Sequence, residues 1–484
     1  MLTHMKGIGW LGLALLIYAF TVFSPHDYGL DRIELKDEFL DGKFPRLPSV
    51  SWKLTKVFPE LSVSSSVTNL VKIPGTDKLM LLGQEGLVWI LENDDTRGET
   101  KLVLDISKQV VTTSDAGLLG VAFHPEFNDA NSNHWREIYF FYTYRFKGDE
   151  PLFNRLSRFK FSENLNTILP SSEEILIQQY DRNGLHNGGD MFFDNDGYLY
   201  VSLGDEGGSN NFYGNAQKIN ASLFSGVIRI DVDLDSTRSH PIRRYPLSPE
   251  DSPEGFPDNI NQHYMIPNDN PWVSETGDNL EEFFAIGLRS PHRMYYDTLT
   301  ENIWVADVGQ SAKEEISLLT KGSNAQWPYQ EGSRVFSQRK PDSIIGIETP
   351  PIFDYGRDQG LCIIGGLVYR GDKYADLKGQ YIFGDYVSNN IWALDPQQNN
   401  KVTFLCKVSN LKPVSFLSSP EGFIYVLTLN GNIFKLTTEV VLQEIPNLLS
   451  QTGAFTDVKN LEPAPGIIPY DVNSPLWSDG ASKK

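Results

Sequence analysis

The segment GYLYVSLGD (Gly197–Asp205) begins at a turn glycine, continues through alternating bulky residues and ends at a second turn. An alternation with a period of two is typical of a half-buried β-strand, because successive side chains point to opposite faces of a sheet. The pattern occurs again as KLMLLGQEGLVWI (Lys78–Ile90), EIYFFYTYR (Glu137–Arg145), NIWVADVG (Asn302–Gly309), GQYIFGDYVSNNIWAL (Gly379–Leu394) and GFIYVLTLNGNIFKL (Gly422–Leu436).

These repeated strands predict an all-β chain that folds as a six-bladed β-propeller over residues 50–440. One four-stranded sheet per repeat, arranged radially, would hide its apolar faces between its neighbours. A β-sandwich array is the alternative, but each repeat is too long for a simple hairpin. The proline-rich insertion Ser236–Gly277 is predicted to be a surface loop between blades, since proline is excluded from central strands.

Composition restricts the class of partner. The chain has 484 residues and a net charge of −20, which argues against nucleic acid and against an anionic membrane surface as partners. The two cysteines, Cys362 and Cys406, lack metal-ligand spacing and are too few for a disulfide scaffold. They could form one disulfide in an oxidising compartment.

The two ends of the chain differ from the repeats. Residues 1–30 contain the uncharged apolar run Ile8–Phe23, which predicts a secretory signal or an uncleaved membrane anchor and places the protein in a periplasm or outside the cell. Residues 445–484 are rich in Pro, Gly and Asn and are predicted to be the incomplete start of a further C-terminal domain, or a disordered tail.

His186 lies in the glycine-rich segment DRNGLHNGGD (Asp181–Asp190), just before a predicted strand. Glycines there let a flat ligand approach the backbone, and an imidazole exchanges a proton near neutral pH. His186 is therefore a candidate general base, with an ordinary loop histidine as the alternative. His124 and His292 are interpreted as structural loop residues.

Four blocks in this order resemble the family of soluble quinoprotein glucose dehydrogenases and aldose sugar dehydrogenases, also called glucose/sorbosone dehydrogenases. The blocks extend over nearly all of the predicted propeller. They are AGLLGVAFHPEF (Ala116–Phe127), GLHNGGDMFFDNDGYLYVSLGD (Gly184–Asp205), FAIGLRSPHRMYYD with NIWVADVGQSAKEEISLL (Phe284–Asp297 and Asn302–Leu319), and GGLVYRGDKYADLKGQYIFGDY (Gly365–Tyr386).

The resemblance implies oxidation of the C1 hydroxyl of an aldose to the lactone, with pyrroloquinoline quinone (PQQ) and Ca²⁺ as cofactors. By resemblance, His186 takes the hydroxyl proton while hydride passes to the quinone. Arg289 would stabilise the charge that develops on the quinone oxygen. Asn187, Gly188 and Arg370 are assigned with Arg289 to cofactor binding.

The resemblance also implies a metal site and a substrate contact. Gly309 and Gln310 would offer backbone carbonyls to Ca²⁺, which prefers oxygen ligands. Glu314 and Asp307 flank this turn and could supply charge to it, or could be ordinary loop carboxylates. Asp115 would lie on the substrate side of the site.

Several positions depart from the family pattern. Leu185 stands where the glucose enzymes have an acidic residue, and Ser290 replaces an asparagine. Asp190 stands where arginine is common, and a basic residue is absent at Asn390. Because PQQ carries three carboxylates, these changes are expected to weaken its binding unless Arg293 or Arg357 compensates.

The leading prediction is a PQQ- and calcium-dependent dehydrogenase that acts on a small sugar and passes electrons to an external acceptor, a cytochrome or a quinone. The main alternative is a non-catalytic extracellular binding propeller, which the departures favour. A calcium-dependent hydrolase on the same fold is a third hypothesis.

Overall fold

The computed structural model describes residues 49–145, 152–247, 258–336, 339–408, 412–419, 421–441, 448, 450 and 454–465. The larger of two compact units spans Trp52–Thr438, and the other contains the remaining residues at both ends of the chain. The predicted signal or anchor, residues 1–30, lies outside the described residues. In the part of the chain that is described, no helix is long and apolar enough to cross a membrane.

The regular secondary structure of the described chain consists almost entirely of strands, as the period of two predicts. The strands of the first half are β1 (Ser49–Val57), β2 (Val67–Lys72), β3 (Lys78–Gly83), β4 (Leu87–Glu92), β5 (Thr100–Asp105), β6 (Leu118–Phe123), β7 (Glu137–Arg145), β8 (Leu152–Phe161), β9 (Ile168–Asp181), β10 (Gly188–Phe193), β11 (Leu199–Leu203), β12 (Gly226–Ile230), β13 (Ser239–His240), β14 (Ile260–Asn261), β15 (Ile266–Pro267) and β16 (Phe283–Ile286).

The second half continues the same architecture, and its described residues include the single-turn 3-10 helices Ala375–Leu377 and Pro396–Gln398. Its strands are β17 (Arg293–Asp297), β18 (Asn302–Asp307), β19 (Lys313–Leu319), β20 (Ser323–Asn324), β21 (Gln330–Glu331), β22 (Arg334–Val335), β23 (Ile347–Glu348), β24 (Phe353–Gly356), β25 (Ile363–Val368), β26 (Tyr381–Asp385), β27 (Asn390–Asp395), β28 (Lys401–Lys407), β29 (Pro413–Ser418), β30 (Ile424–Thr428), β31 (Ile433–Val441), β32 (Phe455–Asp457) and β33 (Glu462–Pro463).

Within the described residues, six sheets have four to six strands each. In strand order they are β2-β3-β4-β5, β6-β7-β8-β9-β14, β10-β11-β12-β16-β20-β23, β17-β18-β19-β24, β25-β26-β27-β28 and β29-β30-β31-β1. In the last sheet β1, the first strand of the described chain, pairs with β31, which precedes the tail. Each repeated strand segment of the sequence lies in a different one of these sheets.

The sheets are arranged as a ring around an axis. Their innermost strands contact one another in the order β2, β6, β10, β17, β25 and β29, and β29 contacts β2. Each hydrophobic core lies between two neighbouring sheets. The prediction of an all-β propeller is confirmed.

Two details of the strand prediction need correction. Strand β11 is buried along its whole length rather than half-buried, because both of its faces pack against neighbouring sheets. The insertion at Ser236–Gly277 also contributes strands: β14 extends the edge of β9, and β13 pairs with β15.

Two further sequence expectations concern the cysteines and the tail. Cys362 and Cys406 are both free thiols, so the disulfide considered from the sequence is absent from this structure. In the described part of the tail, β32 and β33 form a two-stranded hairpin.

Candidate functional site

A cavity of about 550 Å³ lies on the axis of the ring. Its volume is in the range of roughly 300–1,000 Å³ that small-ligand sites occupy. Four innermost strands contribute Thr68, Leu119, Ile364 and Val414 to its walls. The rest of the wall comes mainly from loops at one end of the ring, namely Gln84, Ser114, Asp115, Leu185, His186, Arg289, Ser290, His292, Val308, Cys362, Tyr386 and Leu429, with Val67 of β2.

His186 reaches this cavity on the turn between β9 and β10. The carboxylate of Asp181, the last residue of β9, starts the turn by accepting the backbone N–H groups of Asn183 at 2.9 Å and Gly184 at 3.0 Å. His186 itself has a φ of 57°, a left-handed conformation that is uncommon for residues other than glycine. The surrounding hydrogen bonds therefore hold this backbone in an unusual conformation.

The imidazole of His186 is held by a buried carboxylate. Its Nδ1 lies 2.6 Å from Oδ1 of Asp205, and the other carboxylate oxygen accepts the indole N–H of Trp327 at 2.8 Å. Asp205 is fully buried. Because Nδ1 is bound to Asp205, Nε2 is the nitrogen left for a ligand. This arrangement of base and orienting carboxylate is typical of activated histidines.

Gly204 allows the two central residues of the site to approach one another. A side chain at this position would place Cβ 1.7 Å from the carbonyl oxygen of His186 and 3.0 Å from that of Arg289. Only glycine therefore fits between the turn that carries His186 and the loop that carries Arg289. The backbone N–H of Asp205 also donates to the carbonyl of Arg289 at 2.9 Å, so one short segment positions both residues.

Arg289 supplies a cation to the cavity. Its Nη1 donates to the carbonyls of Val308 at 2.9 Å and Gly309 at 3.0 Å, while its Nε is buried without a hydrogen-bond partner. The carboxylate of Asp307 accepts the backbone N–H groups of Arg289 and Ser290. Burial raises the pKa of Asp307 to about 6. An unpaired buried N–H on a cation is a donor that an anionic ligand would satisfy.

Asp115 is close to His186, as the resemblance implies for a substrate-side residue. Its Oδ2 accepts the backbone N–H of His186 at 2.7 Å, and its Oδ1 is buried without a partner. Burial raises the pKa of Asp115 above its ordinary value. The free carboxylate oxygen can accept a hydrogen bond from a hydroxyl group in the cavity.

The other residues assigned to the cofactor do not line the cavity. The side-chain amide of Asn187 donates to the carbonyl of Gly184 at 3.1 Å, and its own oxygen is buried without a partner. Gly188 is the first residue of β10 and pairs with Leu203. Arg370 pairs with Asp297 through its Nε at 3.0 Å. The structure brings His186, Arg289 and Asp115 together, and places Arg370 elsewhere.

Hydrogen-bond or ion-pair partners already occupy the carbonyl of Gly309 and the side chains of Gln310 and Glu314. The carbonyl of Gly309 accepts from Arg289, and the side chain of Gln310 exchanges hydrogen bonds of 2.6 and 3.0 Å with Asn210. Glu314 is fully buried, forms an ion pair with Arg357 and accepts the backbone N–H of Ile363 at 2.9 Å. Burial raises the pKa of Glu314 to about 7.

These contacts decide which cofactor the residues fit. A calcium ion does not fit at the Gly309 carbonyl in this arrangement, because the guanidinium of Arg289 already donates to that oxygen at 3.0 Å and would repel a cation bound there. A flat, anionic quinone such as PQQ fits better. The cavity is large enough, the strand residues of its wall are apolar except for Thr68, and the Nε of Arg289 lacks a partner.

The departures from the family pattern have different consequences. Leu185 and Ser290 line the cavity, whereas Asn390 does not. Asp190 lies 3.5 Å from the buried guanidinium of Arg293, so its charge is balanced inside the protein. The guanidinium of Arg293 also donates to carbonyls of β2, β6 and β29 (those of Thr68, Leu119 and Val414).

Sequence reasoning missed several residues of the site. Asp205 and Trp327 hold His186, and the only local signal was the position of Asp205 directly after a strand and Gly204. His292, interpreted from the sequence as a loop residue, lines the cavity. Burial, reinforced by the neighbouring Arg293, lowers the pKa of His292 to about 3, so its ring is neutral.

A second histidine cluster lies outside the cavity. His124 and His134 stack at 4.2 Å, and their Nε2 atoms lie 2.8 and 3.6 Å from Oδ1 of Asp233. The backbone N–H of Glu126 donates to Nδ1 of His124, so the ring proton is on Nε2 and points to Asp233. A protonated Nε2 has no lone pair for a metal, which indicates a structural cluster.

Comparison with known proteins agrees with the resemblance. Residues 68–247 and 249–435 match the family described as Glucose / Sorbosone dehydrogenase. The chain is 26% identical over 448 residues to HIPL1 protein of Arabidopsis thaliana, covering 79% of this chain and 62% of that protein. It is 27% identical over 330 residues to Hedgehog-interacting protein of Homo sapiens, covering 65% of this chain and 40% of that protein. The chain thus spans less than two thirds of these relatives.

The fold is similar to that of a solved enzyme. A structure of the PQQ-bound form of aldose sugar dehydrogenase from Streptomyces coelicolor matches with a TM-score of 0.56 and 16% identity, covering 82% of this chain and all of that chain. At this identity the similarity concerns the fold alone.

Proposed function

The chain belongs to the glucose/sorbosone dehydrogenase family, and we propose that it oxidises the C1 hydroxyl of an aldose, or of a related alcohol, to the lactone in its central cavity. The observation that carries this proposal is the contact of 2.6 Å between His186 and the buried Asp205. It fixes an imidazole at the cavity wall with one nitrogen free to accept a proton.

Each residue at the cavity then has a defined role. Nε2 of His186 accepts the proton of the substrate hydroxyl, and the carboxylate of Asp205 stabilises the imidazolium that results. The free Oδ1 of Asp115 orients a second substrate hydroxyl. The guanidinium of Arg289 is a fixed cation that stabilises negative charge developing on an oxygen in the cavity.

PQQ, when bound, would supply the hydride acceptor. Arg289 would hold it through the unpaired Nε, and the apolar strand residues would cover its flat faces. Asn187, Gly188 and Arg370 remain proposed cofactor contacts. Gly309, Gln310 and Glu314 remain proposed calcium ligands only for the PQQ-bound protein, in which Arg289 would have to leave the Gly309 carbonyl. We further propose a secreted or periplasmic location and an external electron acceptor, a cytochrome or a quinone.

The test is dye reduction by the PQQ-loaded protein across a panel of aldoses and simple alcohols. We expect activity in the wild type and its loss in His186→Ala. His263→Ala is the matched control. The side chain of His263 is 43% exposed, pairs with Glu174 and does not line the cavity. Absence of PQQ-dependent reduction across the whole panel would reject the proposal.

A specific observation favours a second candidate, a non-catalytic binding propeller. Among the described residues, Arg289 is the one arginine that lines the cavity. The guanidinium groups of Arg293, Arg357 and Arg370 each form an ion pair with a carboxylate instead. PQQ has three carboxylates and would find few cations here. The similarity to Hedgehog-interacting protein is consistent with this alternative. It predicts that His186→Ala leaves ligand affinity nearly unchanged.

A further inference from the structure

The loop between β11 and β12 has an unusual composition. After Asp205 and Glu206 it continues as GGSNNFYGN (Gly207–Asn215), which contains no charged residue in a chain whose net charge is −20. Loops of Gly, Ser and Asn with aromatic residues are typical of surfaces that bind through rigid rings and adaptable polar groups. The composition therefore points to a neutral ligand.

This loop lies at the mouth of the cavity. Near the start of the loop, Asp205 holds His186. The backbone at Gly207 is so close to Leu185 of the cavity wall that a Cβ there would lie 2.8 Å from the Leu185 side chain. On the other side, Asn210 exchanges hydrogen bonds of 2.6 and 3.0 Å with Gln310. The loop thus joins the turn of His186 to the turn of Gly309 and Gln310.

The loop is also firmly held in shape. The carboxylate of Glu206 accepts from the backbone and side chain of Arg182 and, at 2.6 Å, from the side-chain amide of Asn215. Asn211 accepts the backbone N–H of Ala216 at 3.0 Å through its side chain. A loop fixed in this way loses little further conformational freedom when a ligand binds.

Phe212 stands on this fixed loop with 73% of its surface exposed. Its ring meets the ring of Tyr213 edge to face, with centroids 5.0 Å apart. The ring of Tyr213, in contrast, has one face covered by the guanidinium of Arg182, whose central carbon lies 4.1 Å from the ring centroid. A Cβ at Gly208 would lie 2.6 Å from the Cβ of Phe212, so only glycine leaves room for this orientation.

We propose that Gly207–Asn215 is a sugar subsite at the cavity mouth, in which Phe212 stacks on the second ring of a neutral oligosaccharide. The reducing-end aldose would occupy the cavity beside His186, so this inference rests on the proposed function. A pyranose ring has an apolar face of C–H groups that packs on an aromatic ring, and hydroxyl groups at its edge that bind to asparagine amides. A charged polymer would need charged partners, and the segment Gly207–Asn215 contains none.

The experiment compares Phe212→Ala with Phe212→Trp and a matched control. Phe404→Ala is the control, because Phe404 is 55% exposed but lies on β28, the outermost strand of its sheet. For each PQQ-loaded protein, kcat/KM is measured with glucose, galactose and xylose and with maltose, cellobiose, lactose and xylobiose. Saturation-transfer NMR on the cofactor-free proteins, with the same disaccharides and with maltotriose, measures binding without turnover.

We expect Phe212→Ala to lower kcat/KM for the preferred disaccharide about tenfold, which corresponds to one aromatic stacking contact. Monosaccharide values should stay within twofold, Phe212→Trp should restore the disaccharide value, and Phe404→Ala should have no effect. The NMR signals of the second ring should disappear only in Phe212→Ala.

Failure of this inference and failure of the proposed function give different results. Equal losses for mono- and disaccharides, or no loss for either, would overturn the subsite while leaving sugar oxidation in place. If no sugar is oxidised, the proposed function fails, and the NMR measurement still decides the subsite. Absence of any Phe212-dependent oligosaccharide signal would then overturn it.

Discussion

Asp205→Asn is the perturbation that tests the centre of the site most directly. The substitution keeps the shape of the side chain and removes its charge. The amide can still accept the indole N–H of Trp327, now 2.8 Å from Oδ2, but it no longer offers a carboxylate to His186 Nδ1 at 2.6 Å. We therefore expect the protein to fold and its reaction rate to fall.

The size of the loss follows from electrostatics. When His186 accepts the substrate proton, a unit positive charge forms about 4 Å from the centre of the Asp205 carboxylate. Two unit charges at this distance interact by about 4 kcal/mol at an effective dielectric constant of about 20. Since each 1.36 kcal/mol changes a rate about tenfold, kcat for sugar oxidation should fall about a thousandfold in Asp205→Asn.

The assay is single-turnover bleaching of the bound quinone, with thermal unfolding to verify the fold and ¹⁵N NMR to report the tautomer of His186. Asp194→Asn is the matched control, because Asp194 lies at the far end of the same β10–β11 hairpin and accepts the backbone N–H of Tyr198. A folded Asp205→Asn protein that retained more than a third of the wild-type rate would refute the role of Asp205.

Three further predictions concern stability and metal binding. Arg293→Met leaves Asp190 charged and without its ion-pair partner in the core. The free energy of unfolding should therefore fall by about 3–5 kcal/mol. A loss of less than about 1 kcal/mol, measured by chemical denaturation, would contradict this. Burial raises the pKa of Glu282 from its usual 4.5 to about 7, so the folded state keeps a proton that the unfolded state loses. Stability should therefore fall as pH rises from about 4.5 to about 7, and Glu282→Gln should remove part of this fall in Tm measured across pH. Finally, calorimetric titration of the cofactor-free wild type with calcium should show no stoichiometric binding, because the Gly309 carbonyl is bound to Arg289. Stoichiometric binding that is lost in Glu314→Gln would contradict this.

The histidine site shows how far local sequence could lead. The turn, the glycines and the imidazole identify His186 as a candidate base from a single stretch of chain. Its partners could not be found in the same way, since Asp205 is 19 residues away and Trp327 is 122 residues beyond Asp205. They meet because loops from different sheets come together at one end of the ring, and loop conformation is not encoded in strand periodicity.

The charged residues show the same limit. The sequence identified Asp190, Arg293, Glu314 and Arg357 as residues that could alter cofactor binding, but it could not show that they pair with one another inside the protein.

By itself, the sequence determined that the chain is an all-β propeller, because alternation with a period of two is a local property that each strand carries. It also determined the family, because four blocks of the chain resemble those of the family and occur in the same order. Only the tertiary structure decided which charges face the cavity. A side chain's partner depends on which sheets are neighbours in the ring, and that arrangement is formed by contacts between residues far apart in sequence.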